Sequence, residues 1–300
     1  MIDFVERKSC PVCFSNEYKI LLETQFDHSS LRTFYLKQYK GRLDPEIFKN
    51  TSHTFKLNQC EGCTFVWQNP ILNSEGMHLL YDKWIDPKES FQKNISHNSN
   101  YFKYIFLDVL FVSTIFKGRK PNSIRILDFG MGWGTWIKAA IAHGFNACGA
   151  ELSQSRIENA EKLSIRVIKD LASSEEEFDY INTEQSLEHI DDLNESMSLL
   201  SHKLTKNGII RVSVPPTYKE LKIVKRKKQP TYDAFRPLEH INGFNYKSLQ
   251  KLANRNHLEI AGVSFFFKLM KRKPQNSLYI LKRMISHFFL NNTLLIKSSN

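Results

Sequence analysis

Short apolar runs alternate with helix-length segments between residues 121 and 214. The runs of strand length are Ser123–Phe129, Ala147–Leu152, Ile165–Lys169, Phe178–Thr183 and Ile209–Val214. Helix-length segments separate several of them, at Trp133–His143, Gln154–Leu163 and Leu187–Leu204. Such alternation is typical of an open, mostly parallel sheet with helices on both faces. We therefore predict an α/β fold for this part of the chain.

The pattern before residue 121 is different. Residues 1–70 are framed by cysteine pairs and end in a short predicted strand that Pro70 stops. Residues 71–120 have a helical pattern, with a break at Asp86-Pro87. We expect three consecutive parts: a small module over 1–70, a helical linker or lid over 71–120, and the α/β domain over 121–300.

The last third of the chain predicts a mixture of elements. A basic loop over Lys219–Gln229 is followed by a helix over Tyr246–Asn254. Two further apolar runs, Leu258–Phe267 and Leu278–Met284, have the length and composition of β-strands. We expect these runs to add strands to the sheet.

Composition and charge narrow the class of protein. The chain is 41% apolar and 12% aromatic, which excludes a disordered protein, and its 12 glycines and 10 prolines exclude a collagen-like one. Its net charge of +11 is unevenly distributed, because residues 219–300 contain 17 Lys and Arg against 4 Asp and Glu. This basic region indicates an anionic partner, with a solvated surface as the alternative.

No targeting segment is predicted. The first residues contain no apolar run of signal-peptide length, so we expect a cytoplasmic protein. The most apolar stretch, Tyr101–Phe116, is interrupted by Lys103 and Asp108 and is shorter than the roughly 20 residues that span a bilayer. It predicts a buried helix.

Four of the five cysteines form two pairs, Cys10 with Cys13 and Cys60 with Cys63. Two CxxC turns suit a tetrahedral zinc ion, and four protein ligands would leave no open position, so we predict structural Zn²⁺ in a zinc-ribbon-like module. The intervening 46 residues are longer than usual, and they contain His28 and His53, which are alternative ligands. A redox CxxC and free thiols are the other readings. Cys148 stands alone in an apolar run and is predicted to be a core residue.

A glycine-rich turn directly follows the first strand of the α/β domain. The segment reads Ile126-Leu127-Asp128-Phe129-Gly130-Met131-Gly132-Trp133-Gly134. Glycines there let a ligand approach the backbone closely. A nicotinamide fingerprint would place its third glycine at Thr135, so the spacing speaks against a dehydrogenase.

An acidic residue followed by G-x-G-x-G resembles the first motif of class I S-adenosylmethionine (SAM) dependent methyltransferases. Later segments follow in that family's order: Phe178–Ile181, Leu187–Ile190 and Leu204–Ile210 resemble the fourth strand, the next helix and the turn into the fifth strand. The resemblance covers residues 121–285. It implies a Rossmann-like fold and SAM as cofactor, with cofactor contacts from Asp128, Gly130, Gly132, Gly134, Glu151, Leu152, Asp170, Leu171 and Gln185.

Each cofactor contact implied by the resemblance has an alternative interpretation. Glu151 would accept hydrogen bonds from both ribose hydroxyls, as an ionised carboxylate can; otherwise it is a neighbour of a helix N-cap. Asp170 would contact the adenine amino group; otherwise it is a surface loop carboxylate. The alternative for Asp128 and the glycines is a strand-to-helix turn without a ligand.

Two histidines are candidates for proton transfer from the methyl acceptor. His189 follows the fourth strand, and an imidazole has an unperturbed pKa near neutrality. His240 lies in the segment Pro237–Phe244, which resembles a pre-helix signature of the same family. A structural role is the alternative for both.

The combination of a CxxC…CxxC module with this core resembles bacterial methyltransferases of surface-polysaccharide and deoxysugar biosynthesis. The resemblance implies a small, phosphate-bearing acceptor such as a nucleotide-linked sugar. The basic stretch Lys222, Lys225, Arg226, Lys227 and Lys228 would suit its phosphates.

Three other readings remain open. One is an RNA methyltransferase, although Thr183-Glu184-Gln185-Ser186 lacks the Asn/Asp-Pro-Pro-aromatic signature and the basic stretch lacks interleaved aromatics. Another is a SAM-binding module without catalysis.

The third concerns the C-terminal tail, where Met284–Leu290 and Leu294–Ile296 would contact an acidic membrane surface or pack on the domain. The oligomeric state is not indicated.

Overall fold

The structure is a computed structural model that describes residues 3–49, 51–227, 233–290 and 293–298. Its strands are β1 (Phe4–Val5), β2 (Tyr18–Gln25), β3 (Thr54–Cys60), β4 (Val66–Asn69), β5 (Ile71–Leu72), β6 (Arg125–Phe129), β7 (Asn146–Ala150), β8 (Phe178–Glu184), β9 (Leu204–Ser213), β10 (Asn242–Gly243), β11 (Leu258–Ile260) and β12 (Thr293–Ser298). Its α-helices are α1 (Ser29–Tyr39), α2 (Ser74–Leu79), α3 (Pro87–Ile95), α4 (Ser99–Ile115), α5 (Thr135–Ala142), α6 (Gln154–Lys162), α7 (Leu193–His202), α8 (Thr217–Lys227), α9 (Tyr246–Arg255), α10 (Val263–Arg272) and α11 (Ser277–Ile285).

The chain divides into two units, each built from segments that are far apart in sequence. We call them the cysteine unit (residues 1–90, 187–194 and 215–252) and the sheet unit (residues 91–186, 195–214 and 253–300). This division differs from the three consecutive parts expected from the sequence. The chain enters the sheet unit at residue 91, and residues 187–194 after β8 and 215–252 after β9 return to the cysteine unit.

The sheet unit contains a six-stranded sheet with the order β11-β12-β9-β8-β6-β7. Four adjacent strands, β9, β8, β6 and β7, are parallel, with β7 at one edge; β12 and β11 extend the other edge through antiparallel pairing. Apolar residues of these strands pack against α4, α5, α10 and α11, with Ile126, Trp136 and Phe266 at the centre of the core. The predicted α/β fold with a mostly parallel sheet is confirmed.

The cysteine unit is built on the antiparallel sheet β10-β4-β3-β2 and a second small pair, β1 with β5. Its core is rich in aromatic rings, and Phe26, Tyr35 and Phe55 are fully buried there. Residues from a distant segment complete that core, because Val224 of α8 and Phe235 pack into it. Burial of large aromatic rings supplies most of the hydrophobic stabilisation of such a small unit.

Several predicted elements differ from the structure. The basic stretch predicted as a loop is α8 as far as the structure describes it, anchored by buried Val224. Leu278–Met284 lies in α11, and Leu258–Phe267 divides into β11 and the start of α10. Their short apolar runs fit both element types, and Leu, Met, Lys and Arg favour the helix. The run Ile165–Lys169 forms only an isolated bridge between Val167 and Gly149.

The apolar C-terminal residues are also placed by the structure. Leu294, Leu295 and Ile296 are buried in β12, between β11 and β9. These three residues therefore pack on the domain, as one of the two alternatives predicted. Their side chains are buried and do not face a membrane. The apolar stretch Tyr101–Phe116 lies in α4 as a largely packed helix, and none of the helices described is long and apolar enough to cross a membrane.

Candidate active site

The glycine-rich turn joins β6 to α5 in a conformation that requires glycine. Gly130, Gly132 and Gly134 have φ angles of 70°, 56° and 76°. The backbone N–H groups of Gly130 and Met131 both donate to the carbonyl oxygen of Ala150 at the end of β7. A Cβ on Gly130 would lie 2.4 Å from the Ser186 hydroxyl oxygen, whereas one on Gly132 would meet no protein atom within 4 Å. The turn thus leaves open space above Gly132.

Asp128 is a buried carboxylate next to this turn. Its Oδ1 accepts a hydrogen bond from the Asn182 side-chain amide at 2.7 Å. Its Oδ2 is buried and has no partner among the residues that the structure describes. Burial raises the pKa of Asp128 to about 7, and the nearby Glu184 also favours the neutral form. A cation bound here would provide the missing partner.

A row of buried polar side chains crosses the sheet at the level of Asp128. Asp128 of β6, Asn182 of β8 and Arg211 of β9 are register partners, and Arg211 donates to the Asn182 side-chain oxygen at 2.7 Å. The Arg211 guanidinium lies 3.1 Å from Asp108 of α4 and 2.5 Å from Glu184. These carboxylates raise the pKa of Arg211 despite its burial. The row fixes the position of Asp128.

Glu151 follows β7 and faces the glycine turn. Its carboxylate accepts hydrogen bonds from the backbone N–H of Gly132 at 2.9 Å and from those of Leu152 and Ser153. Arg156 lies 3.5 Å from the same group. Leu152 beside it is 92% exposed, an unusual position for a leucine. A carboxylate and an exposed apolar side chain next to an open turn suit a ribose and the edge of an adenine ring.

The other residues implied as cofactor contacts lie in the same unit. Asp170 is exposed and accepts from the backbone N–H and hydroxyl of Ser173, which lowers its pKa. Leu171 is buried beside it. Gln185 directly follows β8 with a φ of 53°, and its N–H donates to the Ser213 carbonyl. Asp170 and Gln185 therefore keep exposed side chains near the carboxyl ends of the parallel strands, where α/β sheets bind ligands.

These observations fit SAM as a cofactor of the sheet unit. SAM carries a sulfonium and an ammonium cation, a carboxylate, a ribose and an adenine. The unpartnered Asp128 oxygen suits a cation, and the space above Gly132 lets a ligand approach the backbone. Glu151 is a hydrogen-bond acceptor that suits ribose hydroxyls.

The cysteine unit brings the four paired cysteines together. The Sγ atoms of Cys10 and Cys63 are 3.5 Å apart, as are those of Cys13 and Cys60, and all four lie within 4.8 Å of one another. A zinc tetrahedron with Zn–S bonds of about 2.3 Å has edges of about 3.8 Å, so the cluster has nearly that size. The neighbouring thiol of Cys63 lowers the pKa of Cys10 to about 6.

The two CxxC turns have the same local geometry. The residues after them, Phe14 and Thr64, both have a φ of 62° and donate their N–H to the carbonyl of the first cysteine of their pair. His28 instead caps the N-terminus of α1, and His53 lies 3.9 Å from Glu6. Neither histidine belongs to the cluster, so the donor set that fits a metal is four thiolates. Cys148 is buried in β7, as predicted for a core residue, and burial raises its pKa to about 11.

The two candidate histidines lie together in the cysteine unit. Their ring centroids are 4.8 Å apart, and a carboxylate oxygen of Glu188 lies within 4.8 Å of nitrogens of both rings. Nδ1 of His240 is hydrogen bonded to the Asp233 carbonyl, and Nδ1 of His189 lies 2.9 Å from the Glu239 carbonyl. A carbonyl only accepts, so Nδ1 of His240 carries the proton and its ring has the lone pair on Nε2.

Burial lowers the pKa of His240 to about 2, and the neighbouring His189 and Arg236 act in the same direction. Two further residues of this group were not predicted from the sequence. The Tyr81 hydroxyl lies 2.8 Å from His189 Nδ1, and the Glu239 carboxylate accepts from Gln38 and Tyr39. Tyr81 carries no motif of its own, and Glu239 was recognisable only as the neighbour of His240.

Comparisons with known proteins indicate the family of this chain. A family model described as "Methyltransferase domain" matches residues 97–262, more than half of the chain. A curated relative, the ubiquinone biosynthesis O-methyltransferase of Pelagibacter ubique (strain HTCC1062), is 27% identical over 149 residues. That match covers 46% of this chain and 62% of the relative, so it spans less than two thirds of the relative's length.

Solved methyltransferase structures resemble the chain at low sequence identity. A SAM-dependent methyltransferase from Clostridium acetobutylicum ATCC 824 is 14% identical with a TM-score of 0.45, over 75% of this chain and 99% of that one. Magnesium protoporphyrin IX methyltransferase from Synechocystis PCC 6803 with bound SAH is 15% identical with a TM-score of 0.42, over 54% and 75% of the two chains. From the family match over residues 97–262, together with the glycine turn, Asp128 and Glu151 in the sheet unit, we conclude that this chain belongs to the SAM-dependent methyltransferase domain family.

Proposed function

We propose that this protein transfers the methyl group of SAM to a small, phosphate-bearing acceptor, a hydroxyl or carbon of a nucleotide-linked sugar or saccharide, in surface-polysaccharide or secondary-metabolite biosynthesis. The observation that carries the cofactor part is the buried Asp128 beside the open glycine turn. Bound SAM supplies a methyl group that its sulfonium already activates. The protein's own contribution is then to align the reactants and to remove a proton from a hydroxyl acceptor.

The residues of the sheet unit hold the cofactor in this proposal. Asp128 faces its positive charge, and the backbone of Gly130, Gly132 and Gly134 lies against its amino-acid end. Glu151 accepts from the ribose hydroxyls, and Leu152 packs on the adenine. The side chain of Asp170, the Leu171 segment and Gln185 complete the adenine and methionine contacts.

The proton acceptor is one of the two histidines. His240 stays neutral at pH 7 because burial lowers its pKa to about 2. A pKa this low makes it a weak base, so its Nε2 lone pair suits a hydrogen bond from the acceptor hydroxyl better than removal of the proton. His189 lies beside His240, with Nδ1 2.9 Å from the Glu239 carbonyl oxygen and 2.8 Å from the Tyr81 hydroxyl oxygen. The curated relative is named an O-methyltransferase, which favours a hydroxyl acceptor and therefore a base.

The basic face of α8 supports a phosphate-bearing acceptor. Lys222, Lys225, Arg226 and Lys227 are exposed on it, whereas Val224 on the opposite side is buried. Lys222 lies over the ring of exposed Tyr218, with Nζ 4.3 Å from the ring centroid. Lys228, the last residue of the predicted basic stretch, lies outside the described residues. Cations grouped on one helix face suit a diphosphate.

We also propose that the four cysteines bind structural Zn²⁺. The cluster joins the start of the chain to the end of β3, so that the metal would hold the two CxxC turns of the cysteine unit together. Four thiolates leave no position for water or substrate, and the metal therefore has no part in the transfer itself.

The substrate proposal is tested by incubating the protein with SAM and separate panels of nucleotide sugars, lipid-linked saccharides and RNA, and measuring release of S-adenosylhomocysteine (SAH). We expect release with a saccharide panel. Release with RNA alone would contradict the proposed acceptor, and absence of SAM binding in calorimetry would contradict the cofactor.

The histidine roles are separated by His189→Ala and His240→Ala, with His202→Ala as a matched control, because His202 is an exposed histidine of the sheet unit. For a base, turnover per bound cofactor falls by about 100-fold or more while SAM affinity is kept. Loss of SAM affinity with preserved turnover per bound cofactor would assign the histidine a structural role.

A further inference from the structure

The outer side of α10 and α11 combines apolar and basic side chains without any carboxylate. Residues 260–300 contain seven Lys and Arg and neither Asp nor Glu. An ordinary solvated surface mixes both signs of charge and exposes large apolar side chains singly. We define the α10–α11 surface by its exposed side chains, which are Val263, Phe267, Lys268, Lys271, Arg272, Leu278, Leu281, Lys282 and Ile285.

Helix α11 has an apolar stripe on its exposed side. Leu278, Leu281 and Ile285 follow the i, i+3, i+7 spacing of one helix face, and Leu278 is 68% exposed. Lys282 stands beside this stripe. On the other side Ile280 is buried in the core of the sheet unit. The helix therefore has one apolar face that packs on the unit and a second one that is partly exposed, with Leu281 at 39% and Ile285 at 43%.

Helix α10 shows the same arrangement. Phe266 and Leu269 are buried in the core, whereas Val263 and Phe267, one turn apart, are exposed, with Phe267 at 52%. Lys268, Lys271 and Arg272 are exposed as well. Neither Lys271 nor Lys282 forms an ion pair with a described carboxylate. Both helices thus carry exposed apolar side chains with cations beside them.

A basic cleft of about 230 Å³ opens next to α10. Cationic side chains of Lys206, Lys268, Arg272 and Lys297 line it, above an apolar floor that includes Phe265 and Leu269. Lys297 is paired with Glu259, whereas the other three cations form no ion pair with the carboxylates that the structure describes. Three uncompensated cations around a cleft of this size suit one phosphate group.

We propose that the α10–α11 surface docks the protein on an anionic phospholipid membrane, with a lipid phosphate in the basic cleft. Exposed Leu, Ile and Phe side chains enter the boundary between headgroups and acyl chains, and the surrounding Lys and Arg are attracted to anionic lipid. The cleft lies at the amino end of β9, whereas the cofactor residues follow the carboxyl ends of β6, β7 and β8. Docking therefore leaves the cofactor edge of the sheet free.

The charge of the surface decides between this partner and two others. A second copy of the same face would bring like charges together in a two-fold interface, which opposes association. Single-stranded nucleic acid binds on stacked aromatic rings, but the apolar members of this surface are mainly aliphatic. An anionic bilayer offers headgroup phosphates to the cations of this surface and an apolar boundary to its aliphatic side chains. The inference goes beyond methyl transfer and does not depend on it.

The test is sedimentation of the full chain with large unilamellar vesicles. We expect binding to vesicles of 70% phosphatidylcholine and 30% phosphatidylglycerol at 50 mM NaCl, weaker binding at 500 mM NaCl, and no binding to pure phosphatidylcholine. Replacing Lys268, Lys271 and Arg272 together by Gln lowers the affinity by at least about tenfold. Replacing Leu278, Leu281 and Ile285 together by Ser has an effect of the same order.

Matched controls separate this surface from general charge and exposure. Replacing Lys219, Lys222 and Lys225 of α8 by Gln removes the same number of charges, and replacing Ile20, Leu36 and Ile47 by Ser removes three similarly exposed apolar side chains. Both controls keep vesicle binding. In addition, Leu278→Trp reports insertion directly, since brominated lipids quench its fluorescence while Leu36→Trp is not quenched.

Four results would overturn the proposal. One is an equal loss of binding in the α8 control, which would mean unspecific electrostatic attraction. Another is full competition by 10 mM inorganic phosphate, which would reduce the site to a free-phosphate cleft. A third is loss of oligonucleotide binding instead of vesicle binding in the α10–α11 variants. The fourth is a change from dimer to monomer in those variants by light scattering, which would identify a second copy as the partner.

Discussion

The two units acquire their candidate sites in different ways. In the sheet unit, the candidate cofactor residues from Asp128 to Gly134 lie in one short segment, and Glu151 and Gln185 directly follow β7 and β8. In the cysteine unit, Cys10 meets Cys63, and His189 meets both Tyr81 and His240. The first site depends on local turns at the edge of one sheet. The second depends on contacts between residues that are more than 50 positions apart.

This difference predicts which substitutions should most affect the stability or the ligand binding of each unit. The glycine turn is held by the sheet, which has a large apolar core and a buried polar row. Each unit is assembled from three separate segments, whose ordering costs conformational entropy. In the cysteine unit, a metal that joined two of the turns would offset part of that cost. The predictions below test this contrast.

The largest effect is expected for the cysteine cluster. Cys60→Ser combined with Cys63→Ser removes two thiolates, and structural zinc sites contribute about 10–16 kcal/mol in small zinc peptides. We expect the variant to lose its zinc and its cooperative unfolding of the cysteine unit, measured by metal analysis and calorimetry. Cys148→Ala is the matched control and should retain zinc. Less than half an equivalent of zinc in the unmodified protein would contradict the site.

In the sheet unit, the strongest effect on stability is expected at Arg211. Arg211→Met removes the cation paired with half-buried Glu184 and one of the two cations paired with buried Asp108, which keeps Arg283. Removal of one partner of a buried ion pair typically costs about 3–5 kcal/mol. The free energy of unfolding in urea measures this loss. The control is Arg166→Met, because Arg166 pairs with Glu176 at the surface and such a pair contributes at most about 1 kcal/mol. Equal losses in the two variants would show that the buried row does not stabilise the unit.

The glycine turn should affect cofactor affinity more than stability. A Cβ at Gly132 would meet no protein atom within 4 Å, and the same holds for Gly118, which also has a positive φ. Gly132→Ala and Gly118→Ala therefore share the backbone strain of about 1–2 kcal/mol. Calorimetry should show SAM affinity reduced by at least about tenfold in Gly132→Ala alone. Equal SAM affinity in the two variants would disprove a contact between the cofactor and the backbone of Gly132.

The smallest effect is a pH dependence of SAM binding. The pKa of Asp128 is about 7 without cofactor, so Asp128 is largely neutral at pH 6 and ionised at pH 8. A cationic ligand favours the ionised form, and binding then releases a proton. The dissociation constant of SAM should be about tenfold higher at pH 6 than at pH 8. SAH, which lacks the sulfonium charge, should show a smaller change, and Asp128→Asn should remove the dependence for SAM.

The sequence by itself determined the fold class and which residues lie at the carboxyl ends of the parallel strands. Alternating strands and helices place successive strand ends at one edge of a parallel sheet, so a motif after each strand is enough to predict which residues gather there. The CxxC spacing likewise predicted which four cysteines lie together in one cluster. These features depend on local geometry, in which a turn or a strand end is specified by the residues that form it.

Only the tertiary structure decided the remaining features. The sequence did not show that Arg211 supports Asp128 through Asn182, that Tyr81 contacts His189, or that Leu294–Ile296 are buried while Leu278 and Phe267 are exposed. It also predicted strands and a loop where α11 and α8 are helices. Short apolar runs fit several elements, and which of their faces is covered depends on contacts with residues distant in the chain, where local propensity carries no information.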